Sequence, residues 1–213
     1  LPLHCTCLRN NVAVVEYLYH LYPDAINHET TPGGYPIHVA IILGTKYRDN
    51  PAAAVDVVKF LLDCDPNVKL QKYRGIFSLL HVACVEDYNE SNIEAGIQII
   101  KVIYDAHPEA IEDNEIMSNI HRCHPRVQTF IHSELVYSRQ ARNPRLMMTP
   151  DEKGQLPLHT ALHNNVRLGS IKLLVKGNPP ALRSPDNSGA LPLHVACLHH
   201  ETLTLTLLAL FSS

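Results

Sequence analysis

Fourteen histidines and six cysteines are the side chains of this 213-residue chain best suited to metal or nucleophilic chemistry. The best candidate for a metal site is His121-Arg122-Cys123-His124. Thiolate and imidazole suit Zn²⁺, which usually takes four such ligands. The spacing argues against a site: His121 and Cys123 stand two apart, so a helix would direct them to different faces. Neither CxxC nor HExxH occurs, and the paired spacings of zinc sites are missing. Catalytic signatures are absent as well. The chain has no G-x-S-x-G, no phosphate-binding Gly loop ending in Lys-Ser/Thr and no G-x-G-x-x-G; Gly33-Gly34 reads as a turn. No catalytic residue, metal ligand, cofactor or small-molecule substrate is expected.

The histidines instead recur inside a phrase. LPLH stands at 1–4, 156–159 and 191–194, with looser copies YPIH at 35–38, SLLH at 78–81 and SNIH at 118–121. The motif histidines His4, His38, His81, His121, His159 and His194 are spaced 34, 43, 40, 38 and 35 apart. A second marker begins at Pro23, Pro66, Pro108, Pro144 and Pro179, which precede the next motif His by 15, 15, 13, 15 and 15 residues. One half of the unit therefore has nearly fixed length, and the other takes insertions. Such self-similarity is the signature of a repeat architecture.

The elements follow from these markers. Pro2, Pro36, Pro157 and Pro192 fall where a first helical turn begins, a place where the missing N–H costs nothing and the fixed φ helps. A short first helix is predicted there. A one-sided second helix follows, with Val14, Val15, Leu18 and Leu21, then Val58, Leu61 and Leu62, then Ile99, Ile100 and Ile103 on its apolar stripe. The marker proline is expected to end that helix. Gly33, Gly154 and Gly189 stand two residues before a motif, where an Asp/Gly turn with φ > 0 is expected. Helix pairs this short cannot bury their own apolar faces and must stack on neighbours.

DEKGQLPLHTA (151–161) and DNSGALPLHVA (186–196) resemble the ankyrin repeat, whose signature is close to Asp-x-x-Gly-x-Thr-Pro-Leu-His-x-Ala. The resemblance covers essentially the whole chain. It implies an all-α solenoid of stacked helix-turn-helix repeats joined by loops and β-hairpins. One domain over 1–213 is expected, with about six units: 1–34, 35–77, 78–117 with an insertion, a degenerate 118–155, 156–190 and a truncated 191–213. In this reading His4, His38, His81, His159 and His194 are structural. Leu1, Tyr35, Leu156 and Leu191 replace the family's Thr, whose hydroxyl helps cap the helix; losing a cap costs about 1 kcal/mol. Cys7, Cys84 and Cys197 each lie three residues after a motif His, where other units carry Ile41 and Leu162, so they are expected to be buried free thiols. That favours a reducing, intracellular compartment: the cytoplasm, with the nucleus open.

A formal net charge of −3 makes no case for nucleic acid or an anionic membrane. No apolar run approaches the ~20 residues needed to insert through a bilayer. Residues 86–115 carry nine acids and one base, Lys101, whereas 116–147 carry five Arg and one acid, Glu134. Neighbour pairing and a polarised partner surface both account for that. Insertions near 45–52 and 86–93 are expected to cluster and present Tyr47 and Tyr88, and His199-His200 to lie in a solvated turn.

The family resemblance implies a non-enzymatic scaffold that grips a protein partner. Candidate contacts on the loops, by register, are His28, Glu29, Thr31, Lys72, Tyr73, Arg74, Asp151, Glu152, Lys153, Asp186 and Asn187; Arg9, Arg122 and His163 are candidates near the inner helix row. Two alternatives stand beside it. One is a targeting or regulatory segment of a larger enzyme, such as a kinase or ubiquitin ligase, which the abrupt LPLH start and the all-apolar final helix LTLTLLALF favour. The other is a metal-regulated module.

Overall fold

The computed structural model describes residues 2–9, 11–31, 33–46 and 50–199. Leu1, Tyr47, His200 and LTLTLLALF lie outside the described residues, as does the side chain of His199. The chain is all-α: among the described residues there are twelve α-helices, five 3₁₀ turns and two isolated bridges, Thr30 with Gly34 and Tyr73 with Phe77. It divides into two compact units, Leu1–Ile131 and His132–Ser213.

The first unit is built from helix pairs: α1 (Pro2–Leu8) with α2 (Val12–Leu21), α3 (Pro36–Ile42) with α4 (Ala52–Cys64), and α5 (Leu79–Val85) with α6 (Ile93–Ala106). A short α7 (Asn114–Asn119) follows, then α8 (Pro125–Ala141), whose range crosses the division. The first helices pack in one row, α1 on α3, α3 on α5 and α5 on α7; the second helices pack in another, α2 on α4 and α4 on α6. The long helices bury regular stripes, Ala54, Val57, Val58 and Leu61 on α4, and Ile93, Gly96, Ile97, Ile100, Ile103 and Tyr104 on α6. On α2 the expected stripe is not buried. Val15 alone is enclosed, while Val14 is 39% and Leu21 65% exposed.

The marker prolines do more than stop a helix. Pro23, Pro108 and Pro179 each begin a 3₁₀ turn, and Pro66 precedes one at Val68–Leu70. Each turn drives an apolar side chain back into the core: Ile26, Val68, Ile111 and Leu182. Pro144 differs and opens α9 (Pro144–Met148), capped by the Asn143 carboxamide, which accepts from the amides of Arg145 and Leu146.

The second unit holds α9, α10 (Pro157–His163), α11 (Leu168–Gly177) and α12 (Pro192–His199). α10 packs on α11 and α12, and α11 on α9. Its core gathers Met147, Leu158, Leu162, Ile171, Leu174, Leu182 and Val195. Leu193 is only partly buried there, unlike its counterpart Leu158. The hydroxyl of Ser170 donates to the carboxylate of Glu134, and both are buried.

The segment after α6 departs from the expected register. Elsewhere the stretch between a 3₁₀ turn or α9 and the next first helix is eight residues: 28–35, 71–78, 149–156 and 184–191. Between Pro108–Glu112 and α7 there is only Asp113. The Asp113 carboxylate accepts from the Glu115 amide at 3.0 Å and starts α7 at Asn114, five residues before the helix start that SNIH implies. Ile116, fully buried, takes the third helical position that histidine holds in other units. SNIH is therefore not a motif copy: His121 lies exposed in a 3₁₀ turn, Ile120–Arg122.

Candidate functional site

The motif histidines form a repeated device. Nδ1 of His38, His159 and His194 accepts from the amide of the helix's preceding residue, Tyr35 at 3.1 Å, Leu156 at 3.2 Å and Leu191 at 3.0 Å. The ring thus satisfies the N–H of the cap residue at the helix start. With Nδ1 accepting, the proton sits on Nε2. In His159 that nitrogen reaches the next loop, 3.2 Å from the Ala190 carbonyl, and His4 Nε2 likewise lies 3.2 Å from the Gly34 carbonyl. Both carbonyls belong to the residue just before the following helix cap. Burial lowers the pKa of His4, His38, His81 and His159 below the ordinary value, His38 to about 4. His194, unlike the other four, is exposed.

The loops are tied to one another within each unit. The Arg74 amide donates to the Gly33 carbonyl at 2.9 Å, and the Asn187 amide donates to the Lys153 carbonyl at 3.0 Å. Gly33, Gly154 and Gly189 have φ of 95°, 73° and 82°, as the turn requires. A methyl at Gly154 would also collide with Asn187.

This geometry sorts the predicted contacts. His28, Glu29 and Thr31 are exposed beside the first bridge, and Lys72 and Arg74 beside the second. The Arg74 guanidinium lies 5.3 Å from the centre of the Tyr73 ring, which is half-buried against His38. Glu152 and Lys153 are exposed and present their side chains at the tip. Asp151 and Asp186 hold turns instead. Asp151 accepts from the amides of Lys153 and Gln155 at 2.9 and 2.8 Å. Asp186 accepts from the Ser188 hydroxyl at 2.6 Å and the Ser188 and Ala190 amides at 2.9 Å, which hold its carboxyl at about 2. Asn187 spends its side chain on the Glu152 carbonyl. Arg9 is exposed just after α1, and His163, at the end of α10, lies 3.2 Å from the Gln155 carboxamide.

Several expectations are corrected. Tyr88 does not face solvent: it is 6% exposed, and its hydroxyl donates to the Ala83 carbonyl at 2.8 Å. Its ring lies where a side chain on Gly96 would stand, so the second insertion folds inward. The two insertions do meet, through Lys46–Glu86 at 2.6 Å and the Asn92 carboxamide on the Thr45 carbonyl at 3.4 Å. Cys7 and Cys84 are buried, which pushes the Cys7 thiol up to about 12, but Cys197 is exposed. All six thiols are free. Across the acidic and basic blocks, Arg126 pairs with Glu94 at 2.6 Å in an exposed bridge.

One cleft stands out in the first unit, with a volume of about 660 Å³, within the range of ligand sites. It runs beside α5, from Phe77 past His81 and Val85 to Tyr88, and faces Glu115, Asn119 and Arg122. Arg122 and His81, both singled out from sequence, are brought together there. The cleft itself was invisible in the sequence, because SNIH masked the shortened connection; the helix-starting Asp113-Asn114-Glu115 was the signal available. Among the described residues no three His, Cys, Asp or Glu side chains converge to hold a metal ion, and no helix is long and apolar enough to cross a membrane.

No protein-family model matches the chain, and no curated protein does. Among solved structures it is similar to a chain in the complex of a predatory endopeptidase from Bdellovibrio bacteriovorus with an immunity protein. The identity is 18%, the TM-score 0.36, and the match covers 97% of this chain and 96% of that one.

Proposed function

We propose that the chain is an ankyrin-type solenoid that serves as a non-enzymatic scaffold for a protein partner. The carrying observation is the repeated loop tie, Arg74 N–H to Gly33 and Asn187 N–H to Lys153, which holds neighbouring tips in register within each unit. The two rows of helices in the first unit support the same reading. Loops tied in this way and carrying exposed charges are a suitable contact surface, because little backbone freedom is left to lose on binding. Lys72 and Arg74 on the first unit, and Glu152 and Lys153 on the second, are the contacts proposed.

Affinity capture with the chain, repeated with Lys72→Ala/Arg74→Ala, tests this. A partner retained by the parent and lost by the variant, at unchanged melting temperature, supports the reading. Equal retention by both would count against these tips.

A targeting or regulatory segment of a larger enzyme, such as a kinase or ubiquitin ligase, is the second reading. It is favoured by the exposed apolar side chains of α2, Val14, Tyr17, Leu21 and the adjoining Tyr22, at 39, 63, 65 and 51% exposure. Apolar patches of this kind suit a protein contact. The reading frame that encodes the chain discriminates between the two.

A further inference from the structure

Two motif histidines give the Nε2 proton to the carbonyl that ends the next loop, His4 to Gly34 and His159 to Ala190. His81 has no such partner. The connection that would carry the loop is reduced to Asp113, and both ring nitrogens are without a hydrogen bond although the residue is only 5% exposed. A buried imidazole left this way forfeits the hydrogen bonds that water would give it in the unfolded chain. His38 Nε2 is also without a partner, but there the following loop exists and Tyr73 covers the ring, their centres 5.4 Å apart. His81 instead stacks on Phe77 at 4.8 Å and lines the open cleft.

We propose that this cleft receives an extended, basic peptide segment of a protein partner, whose backbone carbonyl takes the place of the missing loop and accepts from His81. The proposal rests on the protein-binding reading and locates its site. The charge of the walls selects the sign. Glu86 is paired with Lys46, but Asp87 and Glu115 line the cleft exposed and without an ion pair among the described residues. Among the described residues Arg122 is the single Lys or Arg on the wall, so carboxylates outnumber it there. A Lys or Arg of the peptide would lie between Asp87 and Glu115. Phe77, Val85 and Tyr88 supply the apolar floor. A backbone amide suits the ring because a neutral imidazole offers one donor and one acceptor.

The probe is a phage-displayed library of random dodecapeptides panned on the full chain, with the best binder then made synthetically. Enrichment of Lys or Arg is expected. The synthetic peptide should shift the His81 ring signals in a proton–nitrogen correlation spectrum, and Asp87→Lys/Glu115→Lys should weaken it at least tenfold. Both positions are exposed, so an unchanged melting temperature will show that the variant folds. A binder that keeps its affinity in this variant and leaves His81 unshifted overturns the cleft. If that binder is lost in Lys72→Ala/Arg74→Ala, the scaffold reading stands while this inference fails. A library that yields no binder also overturns it.

Discussion

His38 shows how a single side chain couples the fold to pH. It is 1% exposed, and burial lowers its pKa from 6.5 to about 4. The unfolded chain binds the proton more readily than the folded one. Stability from this group is therefore complete above about pH 6.5 and drains away as pH falls towards 4. The loss from His38 is on the order of 3 kcal/mol at most, and His4, His81 and His159 shift in the same direction. Urea midpoints measured from pH 7.5 to 4.5 should decline, with the His38 ring signal still unprotonated at pH 5. An ordinary titration near 6.5 would contradict the enclosure of this ring. The motif leucines separate in the same way. Leu158 is fully buried, so Leu158→Ala should cost about 2–5 kcal/mol in chemical denaturation, and Leu193→Ala clearly less because Leu193 is only partly enclosed.

At the scale of elements, the first helices are held by their caps and the loops by their turns. Ser78 accepts from the His81 amide at 3.3 Å and donates to Asp113 at 2.8 Å, so it joins the start of α5 to the start of α7. Ser78→Ala should cost about 1 kcal/mol. Its signature is faster amide exchange at the starts of both helices; an effect confined to α5 would show that the link to Asp113 is idle. Gly154→Ala should destabilise by about 1 kcal/mol or more, since φ is 73° and the new methyl meets Asn187. Gly75→Ala, at φ 69° with open space around it, carries the backbone strain alone and should cost less. Equal losses in thermal melts would mean that the loop tie at Asn187 contributes nothing.

At the scale of the molecule, each compact unit has a core of its own, and no cluster of metal-binding side chains occurs among the described residues. Zinc or a chelator should leave the melting temperature unchanged; a rise with zinc would revive the metal-regulated reading. The helical class and the repeated pairs were legible in the chain because prolines at first turns, glycines before each motif and three-to-four spacing are local constraints that neighbours rarely override. What the sequence could not disclose was set by packing. Tyr88 turned inward because Gly96 left room for its ring, Val14 and Leu21 stayed exposed on α2, and SNIH imitated a motif while Ile116 took the position in the core. Helix starts and turns are decided by residues a few positions apart. The burial of a given ring, and the cleft left where a loop is missing, depend on which surfaces meet across ~30 or more residues of chain, and only the tertiary structure brings those together.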